Sequence, residues 1–188
     1  KSAETGFQTA SKGYRPSEKH RKAIAVHLIF TPPAPEDLPE IMAIENAGFT
    51  PEEAATEAAM AERIRTIADS FIVARTDGGR IAGYVVGSVT AARYISDDLF
   101  AQSRPNPASG GFQTILSLAT HPDLRGQGIA SRLLEELAAS CRRKQREGIT
   151  LTCLANLIPF YQKHGYANEG VSASEHAGEV WYNLVKTL

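Results

Sequence analysis

The sequence predicts a mixed α/β domain, and three observations support this fold class. Segments with the two-residue alternation of strands are interspersed with segments whose apolar residues recur at helical spacing. One strand pattern runs directly into an amphipathic helix through a glycine-containing turn at residues 125–128. The chain has 188 residues, 43% of them hydrophobic and 22% charged, which suits one domain with a substantial core.

The first residues differ in composition from the rest of the chain. Residues 1–23 are polar and locally basic and have no periodic apolar face, so we expect a flexible, solvated arm there. The folded domain is expected to span residues 24–188. It begins with a strand pattern at residues 24–30, which ends before Pro32 and Pro33.

Two helices are predicted next. Pro35 opens the first helix, acidic residues follow in its first turn, and the helix is expected to end near Gly48. Thr50 has the character of an N-cap residue, and Pro51 suits the first position of a helix. We therefore expect the second helix to begin at Pro51 and to continue to about Ile67.

A hairpin and a long connection follow the helices. Residues 70–75 and 81–89 alternate as strands do, and they flank the glycine-rich turn at residues 77–80. Residues 90–107 then form a connection that is long for a compact domain. Such loops often serve function, so we expect this one to lie beside a substrate pocket.

The centre of the chain carries the most informative pattern. Residues 112–120 are typical of a mostly buried strand. The backbone N–H groups at the start of the next helix lack helical partners and attract an anion, most often a phosphate. Gly126 and Gly128 let a pyrophosphate approach the backbone closely, and Arg125 offers a guanidinium either to a phosphate or to the loop itself. The apolar stripe of this helix consists of Ile129, Leu133, Leu134, Leu137 and Cys141.

Two common phosphate-binding motifs are excluded. No Gly-Lys-Ser/Thr closes the turn, as a P-loop requires, and Ser131 stands where a dinucleotide-binding turn has its third glycine. Further along, residues 151–154 predict a short buried strand, a helix is expected after it, and a last pair of strands is expected near residues 180–184.

Two signatures resemble those of one enzyme superfamily. The run Arg125-x-x-Gly128-x-Ala130, after a buried strand, is similar to the pyrophosphate loop of the GNAT superfamily of N-acetyltransferases. The later strand, the short helix with Tyr161 and the Gly-Tyr turn resemble a second signature of that superfamily. The segment at residues 159–162, Pro-Phe-Tyr-Gln, is similar to the serotonin (arylalkylamine) N-acetyltransferase branch.

The resemblance implies a fold and a cosubstrate. The fold would be a mostly antiparallel, twisted sheet of about seven strands, flanked by about four helices and splayed at the acetyl-CoA site. Acetyl-CoA would be the cosubstrate, without a metal. Asn156 would bond the pantetheine amides, although a capping role in the short helix is equally open. The cofactor-binding residues implied in this way are Leu118, Ala119, Thr120, Arg125, Gly126, Gln127, Gly128, Ile129, Ala130 and Asn156.

Tyr161 matches the family tyrosine that acts as general acid. A phenol with a pKa of about 10 is protonated at neutral pH and can donate to a departing thiolate. A tyrosine packed only for its ring is the alternative.

The general base is where the sequence departs from the serotonin branch. Thr114 and Leu116 fall where that branch has two histidines, and neither accepts a proton at pH 7. A primary amine with a pKa of about 10 is only about 0.1% neutral there. His121 is the candidate base, although strand alternation places it on the face opposite Thr114 and Leu116. A water chain or an amine of lower pKa remain alternatives, and the lesser candidates are Glu45, Asp97, Asp98 and His176.

The expected function is acetyl-CoA-dependent transfer of an acetyl group to the primary amine of a small molecule, arylalkylamine or polyamine-like, by direct attack on the thioester. A CoA-binding protein without catalysis and a peptide or protein N-acetyltransferase are the alternatives.

A net charge of −1 argues against a nucleic-acid partner, and no apolar run approaches the roughly 18 to 20 residues that span a membrane. Cys141 and Cys153 are expected to be buried thiols, as in a cytoplasmic protein, and a monomer or a homodimer is expected.

Overall fold

The structure, a computed structural model, describes residues 27–188. The predicted arm at residues 1–23 and the start of the predicted first strand lie outside the described residues. Strands and helices alternate through the described chain, which confirms the mixed α/β class. The elements are β1 (Leu28–Thr31), α1 (Leu38–Gly48), α2 (Glu57–Thr66), β2 (Phe71–Thr76), β3 (Ile81–Val86), β4 (Val89–Thr90), α3 (Asp98–Ala101), β5 (Phe112–Ile115), β6 (Ser117–Thr120), α4 (Ile129–Arg143), β7 (Gly148–Cys153), α5 (Ile158–Lys163), β8 (Ala167–Val171) and β9 (Tyr182–Thr187).

The strands form two sheets, and at two places the chain passes directly from a strand of one sheet into a strand of the other. One sheet has the order β1-β2-β3-β6, and the other has the order β4-β5-β7-β9-β8. Within residues 27–188 the pairs are antiparallel, except for the parallel pair β5 and β7. Because β3 continues into β4 and β5 continues into β6, nine strands correspond to the expected seven or so runs. The described chain has five α-helices, where about four were expected.

The predicted strand at residues 81–89 is broken at Gly87, where the chain passes from one sheet to the other. A Cβ atom built on Gly87 would lie 2.0 Å from the carbonyl oxygen of Thr114, a distance that no side chain tolerates. Glycine is therefore required where the two runs of chain cross.

The predicted strand at residues 112–120 is broken in the same region. Leu116 donates its N–H to the carbonyl of Val86 at 2.8 Å, and Ser117 is also paired with Val86. Two residues that face one partner make a β-bulge, which bends the strand and ends its regular pairing. Alternation of residue types does not reveal such a bulge, which explains why the sequence predicts one strand.

The second helix begins at Glu57, and the prediction that it begins at Pro51 is wrong. The carbonyl of Thr50 accepts N–H bonds that close a single turn, after which the chain leaves helical geometry. The N–H of Ala55 is turned away to bond Glu45 at 2.9 Å. Thr56 is the real N-cap, because its hydroxyl accepts the N–H of Ala59 at 3.1 Å.

The core lies on both faces of the first sheet. Leu133 and Leu137 of α4 pack against one face, together with Ile149 of β7. Ile41 of α1 and Met60 of α2 cover the other face. Cys141 and Cys153 are free and buried, as predicted.

No helix within residues 27–188 is long and apolar enough to cross a membrane.

Candidate active site

A cleft opens where β6 and β7 diverge. The parallel pairing of β5 with β7 runs from Phe112 opposite Gly148 to Ile115 opposite Leu151 and then stops, because the bulge turns β6 towards β3. β6 and β7 therefore diverge in the shape of a V, which is the splayed sheet that the resemblance implies. The walls of the cleft include Ile115, Leu116, Ser117, Leu118, Ala119, Leu151, Thr152, Cys153, Leu154, Leu157 and Tyr161.

The edge of β6 that faces the cleft carries backbone polar groups. His121 donates its N–H to the carbonyl of Ala82, on the side of β3. Backbone groups alternate between the two edges of a strand, so the N–H and C=O groups of Leu118 and Thr120 face the opposite edge. No strand pairs with that edge in the described chain. Of the three predicted positions, Leu118 and Thr120 offer their backbone to the cleft, and Ala119 bonds towards β3.

The start of α4 is shaped to receive an anion. Gly126 and Gly128 both have φ of +77°, a left-handed conformation that glycine adopts without strain. Gly128 is the N-cap, no side chain caps the helix there, and its first turn holds no acidic residue. The backbone N–H groups of this turn are therefore open to a ligand. Gln127 is exposed at the tip of the loop, and Ile129 and Ala130 are buried at the start of the helix.

The Arg125 side chain holds the loop. Its guanidinium donates to the carbonyl of Ala47 at 2.9 Å, near the end of α1. The sequence leaves open a phosphate or the loop itself as the partner of Arg125, and the described contact is with a third group, the carbonyl of Ala47 in α1. Arg125 thereby links the α4 turn to α1.

Tyr161 is placed at the cleft by α5. Only 5% of its surface is exposed, its ring packs edge-on against Phe160 and Tyr166, and it lines the cleft. Burial, with a smaller effect from nearby Cys153, raises the pKa of its phenol above the ordinary value. The hydroxyl is therefore protonated and able to donate at neutral pH.

Asn156 lies in the short 3₁₀ turn between β7 and α5 and is exposed. Leu157 occupies the N-cap position of α5, so the capping role for Asn156 is wrong.

A second cavity adjoins the cleft. It is bounded by residues 51–56, by the α2 residues Ala59 and Arg63, by Asp97 and Phe100, and by Ser117 of the bulge. The residues that line both spaces are Glu53, Phe100, Leu116, Ser117 and His176. The two spaces therefore meet beside the bulge.

Two loops that are distant in sequence close the second cavity. Asp97 accepts the hydroxyl of Ser174 at 2.5 Å and the N–H of Glu175 at 3.1 Å. The His176 ring stacks on Phe100 with 4.4 Å between centroids and 8° between planes. Sequence reasoning missed Phe100 and this loop contact, because no local pattern joins segments so far apart.

A buried network lies beneath the same cavity. Glu45 and Arg63 are each only 1% exposed. The Glu45 carboxylate accepts hydrogen bonds from Tyr84, from Ser117 at 3.1 Å and from the N–H of Ala55. Arg63 donates to Ser117 at 3.4 Å. Burial raises the pKa of Glu45 above its ordinary value, and the bond from Tyr84 opposes that effect most strongly.

His121 does not line the cleft or the second cavity. Its Nδ1 accepts the N–H of Asp123 at 3.2 Å, and its Nε2 lies 2.9 Å from the Arg80 guanidinium. Its ring contacts the surface turn that follows β6, whereas Tyr161 lines the cleft, so the described contacts of His121 do not include Tyr161.

Thr114, which stands where the serotonin branch has a histidine, is buried and donates its hydroxyl to the carbonyl of Ser88 at 2.8 Å. The lesser base candidates differ in position. Asp98 is exposed and lines neither space, whereas Asp97 and His176 line the second cavity. Within residues 27–188, no three His, Cys, Asp or Glu side chains are grouped so that they could hold a metal ion.

Comparison with known proteins agrees with this geometry. The family model described as Acetyltransferase (GNAT) domain matches residues 68–168, more than half of the chain. No curated protein sequence matches the chain. Three similar solved structures, each aligned over 86% of this chain, are the loading GNATL domain of CurA from Lyngbya majuscula (TM-score 0.70, 16% identity, 98% of that chain), Ard1 from Thermoplasma volcanium (0.67, 18%, 97%) and Arabidopsis thaliana Naa50 in complex with the bisubstrate analogue CoA-Ac-MVNAL (0.63, 14%, 99%). At these identities the structures establish the fold. The family match and the fold together show that the chain belongs to the GNAT acetyltransferase family.

Proposed function

We propose that this acetyltransferase transfers the acetyl group of acetyl-CoA to the primary amine of a small molecule, arylalkylamine or polyamine-like, by direct attack on the thioester. The observation that carries the proposal is the junction of two spaces at the β6 bulge. The cleft has the free backbone edge of β6 and the Tyr161 phenol, which can bind and activate a thioester, and the second cavity has room for an amine.

The proposed acetyl-CoA site uses the cleft and the adjoining helix start. The pyrophosphate would bind the N–H groups of the turn formed by Gly126, Gln127 and Gly128 and of the first residues of α4. The pantetheine arm would extend along β6 and bond the backbone of Leu118 and Thr120. The Naa50 neighbour was solved with an analogue that contains CoA, which supports this choice of cosubstrate.

The proposed reaction needs one proton donor for the thiolate. The amine nitrogen attacks the carbonyl carbon of the thioester, the C–S bond breaks, and the Tyr161 hydroxyl gives its proton to the departing sulfur. Burial keeps this phenol protonated, because the charged phenolate is poorly solvated there. Backbone N–H groups at the edge of β6 would stabilise the oxyanion.

The shape of the second cavity supports a small acceptor. The loop contacts between Asp97 and Ser174, and the stack of His176 on Phe100, bound the cavity on one side. Aromatic rings near the junction suit an arylalkylamine, and the carboxylates of Glu52 and Glu53 on the rim suit a cationic amine.

The test is acetyl-CoA-dependent release of free thiol with tryptamine, phenethylamine, putrescine, spermidine and short peptides as acceptors. We expect turnover with one class of small amine. Tyr161→Phe should lower kcat by about 10²-fold or more, the range of a general acid. The matched control is Tyr94→Phe, because Tyr94 is an exposed tyrosine that bonds Glu169 outside both cavities.

Two results would replace the proposal. Saturation only by peptides would identify a peptide N-acetyltransferase, the acceptor class named for the Naa50 analogue. Absence of turnover, while acetyl-CoA still raises the melting temperature, would identify a CoA-binding protein without catalysis.

A further inference from the structure

We propose that His176 is the general base of the acetyl transfer and takes a proton from the acceptor amine through Nδ1. The inference rests on the proposed function, because it names the group that completes the same site. The sequence leaves this role open, since Thr114 and Leu116 replace the histidines of the serotonin branch.

His176 has the position that a base needs. It lines both the cleft and the second cavity, at the junction where an amine would meet a thioester. The other titratable side chain that lines both spaces is Glu53, whose carboxylate already accepts the N–H of Thr50 at 3.1 Å. Among the described histidines, no other lines either space.

The contacts of the ring select one tautomer. Nε2 of His176 lies 3.4 Å from the carbonyl oxygen of Glu53, which can only accept a hydrogen bond. The hydrogen of the neutral ring is therefore favoured on Nε2, and Nδ1 carries the free electron pair. No group within residues 27–188 bonds to Nδ1.

The ring and the backbone of His176 are each held by an aromatic neighbour. It stacks on Phe100 of α3, and the indole N–H of Trp181 donates to the His176 carbonyl at 2.7 Å. Asp97, the N-cap residue of α3, fixes the start of the loop through Ser174. A base that is positioned before the amine arrives loses little entropy in the transition state.

The proton balance is complete within the site. Nδ1 takes a proton from the ammonium group, the neutral nitrogen attacks the thioester carbon, and the tetrahedral intermediate loses CoA thiolate, which Tyr161 protonates. The amine nitrogen loses its second proton to solvent, and the imidazolium also releases its proton to solvent. The Tyr161 phenolate takes one proton back from solvent, so one proton is released in each turnover. The charged side chains near the imidazole are Glu52, Glu53, Arg63 and Asp97, which line the second cavity with it, and the neighbouring Glu175.

The test is the pH dependence of kcat/KM on the best acceptor. A base gives an acidic limb, because activity appears as the imidazole loses its proton. We expect His176→Gln to lower kcat/KM at pH 7 by about 10²-fold or more and to remove this limb. Added imidazole should restore activity to His176→Ala, whereas Glu53→Gln and the exposed control His27→Gln should keep the limb.

Three outcomes would overturn the assignment. A His176→Gln variant with an even loss of rate at every pH and an unchanged limb would make His176 a positioning residue. Loss of the limb in Glu53→Gln would make Glu53 the base. A neutral ring with its hydrogen on Nδ1, detected by ¹⁵N NMR of the histidines, would contradict the tautomer argument. The NMR measurement tests His176 even in a protein without turnover, whereas absence of wild-type turnover on every acceptor refutes the proposed function itself.

Discussion

Replacement of Glu45 by alanine should strongly destabilise the fold. The carboxylate accepts three hydrogen bonds and lies beside Arg63, and both side chains are 1% exposed. Removal of the carboxylate leaves its three donors unsatisfied and takes away the negative charge that acts on buried Arg63, a loss of about 3–5 kcal/mol. Arg63 keeps its bond to the carbonyl of Phe100 at 3.0 Å, so we expect the lower part of that range.

The free energy of unfolding is measured by urea denaturation followed by circular dichroism. A loss of about 3 kcal/mol is a large share of the 5–15 kcal/mol typical of a domain, and it lowers the melting temperature by about 6–12 °C. Glu36→Ala is the matched control, because Glu36 is exposed and should change stability by no more than about 0.5 kcal/mol.

The Glu45→Leu and Arg63→Met double variant separates charge from packing. Because it removes both charges, it should lose less stability than the two single variants lose together. A loss below about 1 kcal/mol in Glu45→Ala would refute the reasoning, since it would mean that Arg63 finds water or another partner at little cost.

Two further predictions concern the sheets and the first helix. Gly87→Ala should destabilise the protein by about 3 kcal/mol or more in the same assay, because its Cβ would meet backbone 2.0 Å away; Gly78→Ala, whose Cβ meets its nearest atom at 3.9 Å, should be nearly neutral, and equal effects would contradict the crossing geometry. Asp37 is subject to burial, which raises its pKa, but the bonds from Arg75 and from a backbone N–H outweigh that effect, and the pKa lies below its ordinary value. Its stabilising contribution is therefore complete above about pH 4 and is lost as the pH falls through the lowered pKa. Asp37→Asn should reduce the acid-induced loss of stability, measured as the melting temperature from pH 6 to pH 2, and an unchanged acid slope would contradict this.

The sequence predicts features that a few neighbouring residues determine. The start of α4 is one example, because two glycines and an amphipathic stripe suffice to specify a turn and a helix. The hairpin between β2 and β3 and the burial of Cys141 are others. The start of α2 shows the limit of local signals. Thr50 and Pro51 have suitable chemistry for a helix start, but the buried carboxylate of Glu45 binds the N–H of Ala55 and moves that start to Thr56.

The division of long strands between two sheets is a second feature that residue type does not reveal. Residues 112–120 are buried except for the half-buried Leu116 and Thr120, so their residue types do not distinguish one strand from two. The break at Leu116 arises from pairing with Val86 and from the crossing at Gly87, which are contacts between distant segments. This break directs β6 away from β7 and opens the cleft.

The two halves of the site differ in how far their residues are separated along the chain. The proposed cosubstrate half is formed largely by β6 and the α4 turn, which are consecutive in sequence, so a short motif can identify it. The proposed acceptor half depends on contacts such as that of His176 with Glu53, which are 123 residues apart. Each such contact closes a long loop of chain, which costs conformational entropy, and no short sequence pattern indicates the contact. A change of acceptor therefore requires only different residues in these loops, while the cosubstrate half remains unchanged. For this reason the acceptor is best identified by measuring turnover against chemically distinct amines, with the Phe100 and His176 pair as the first place to look for its specificity.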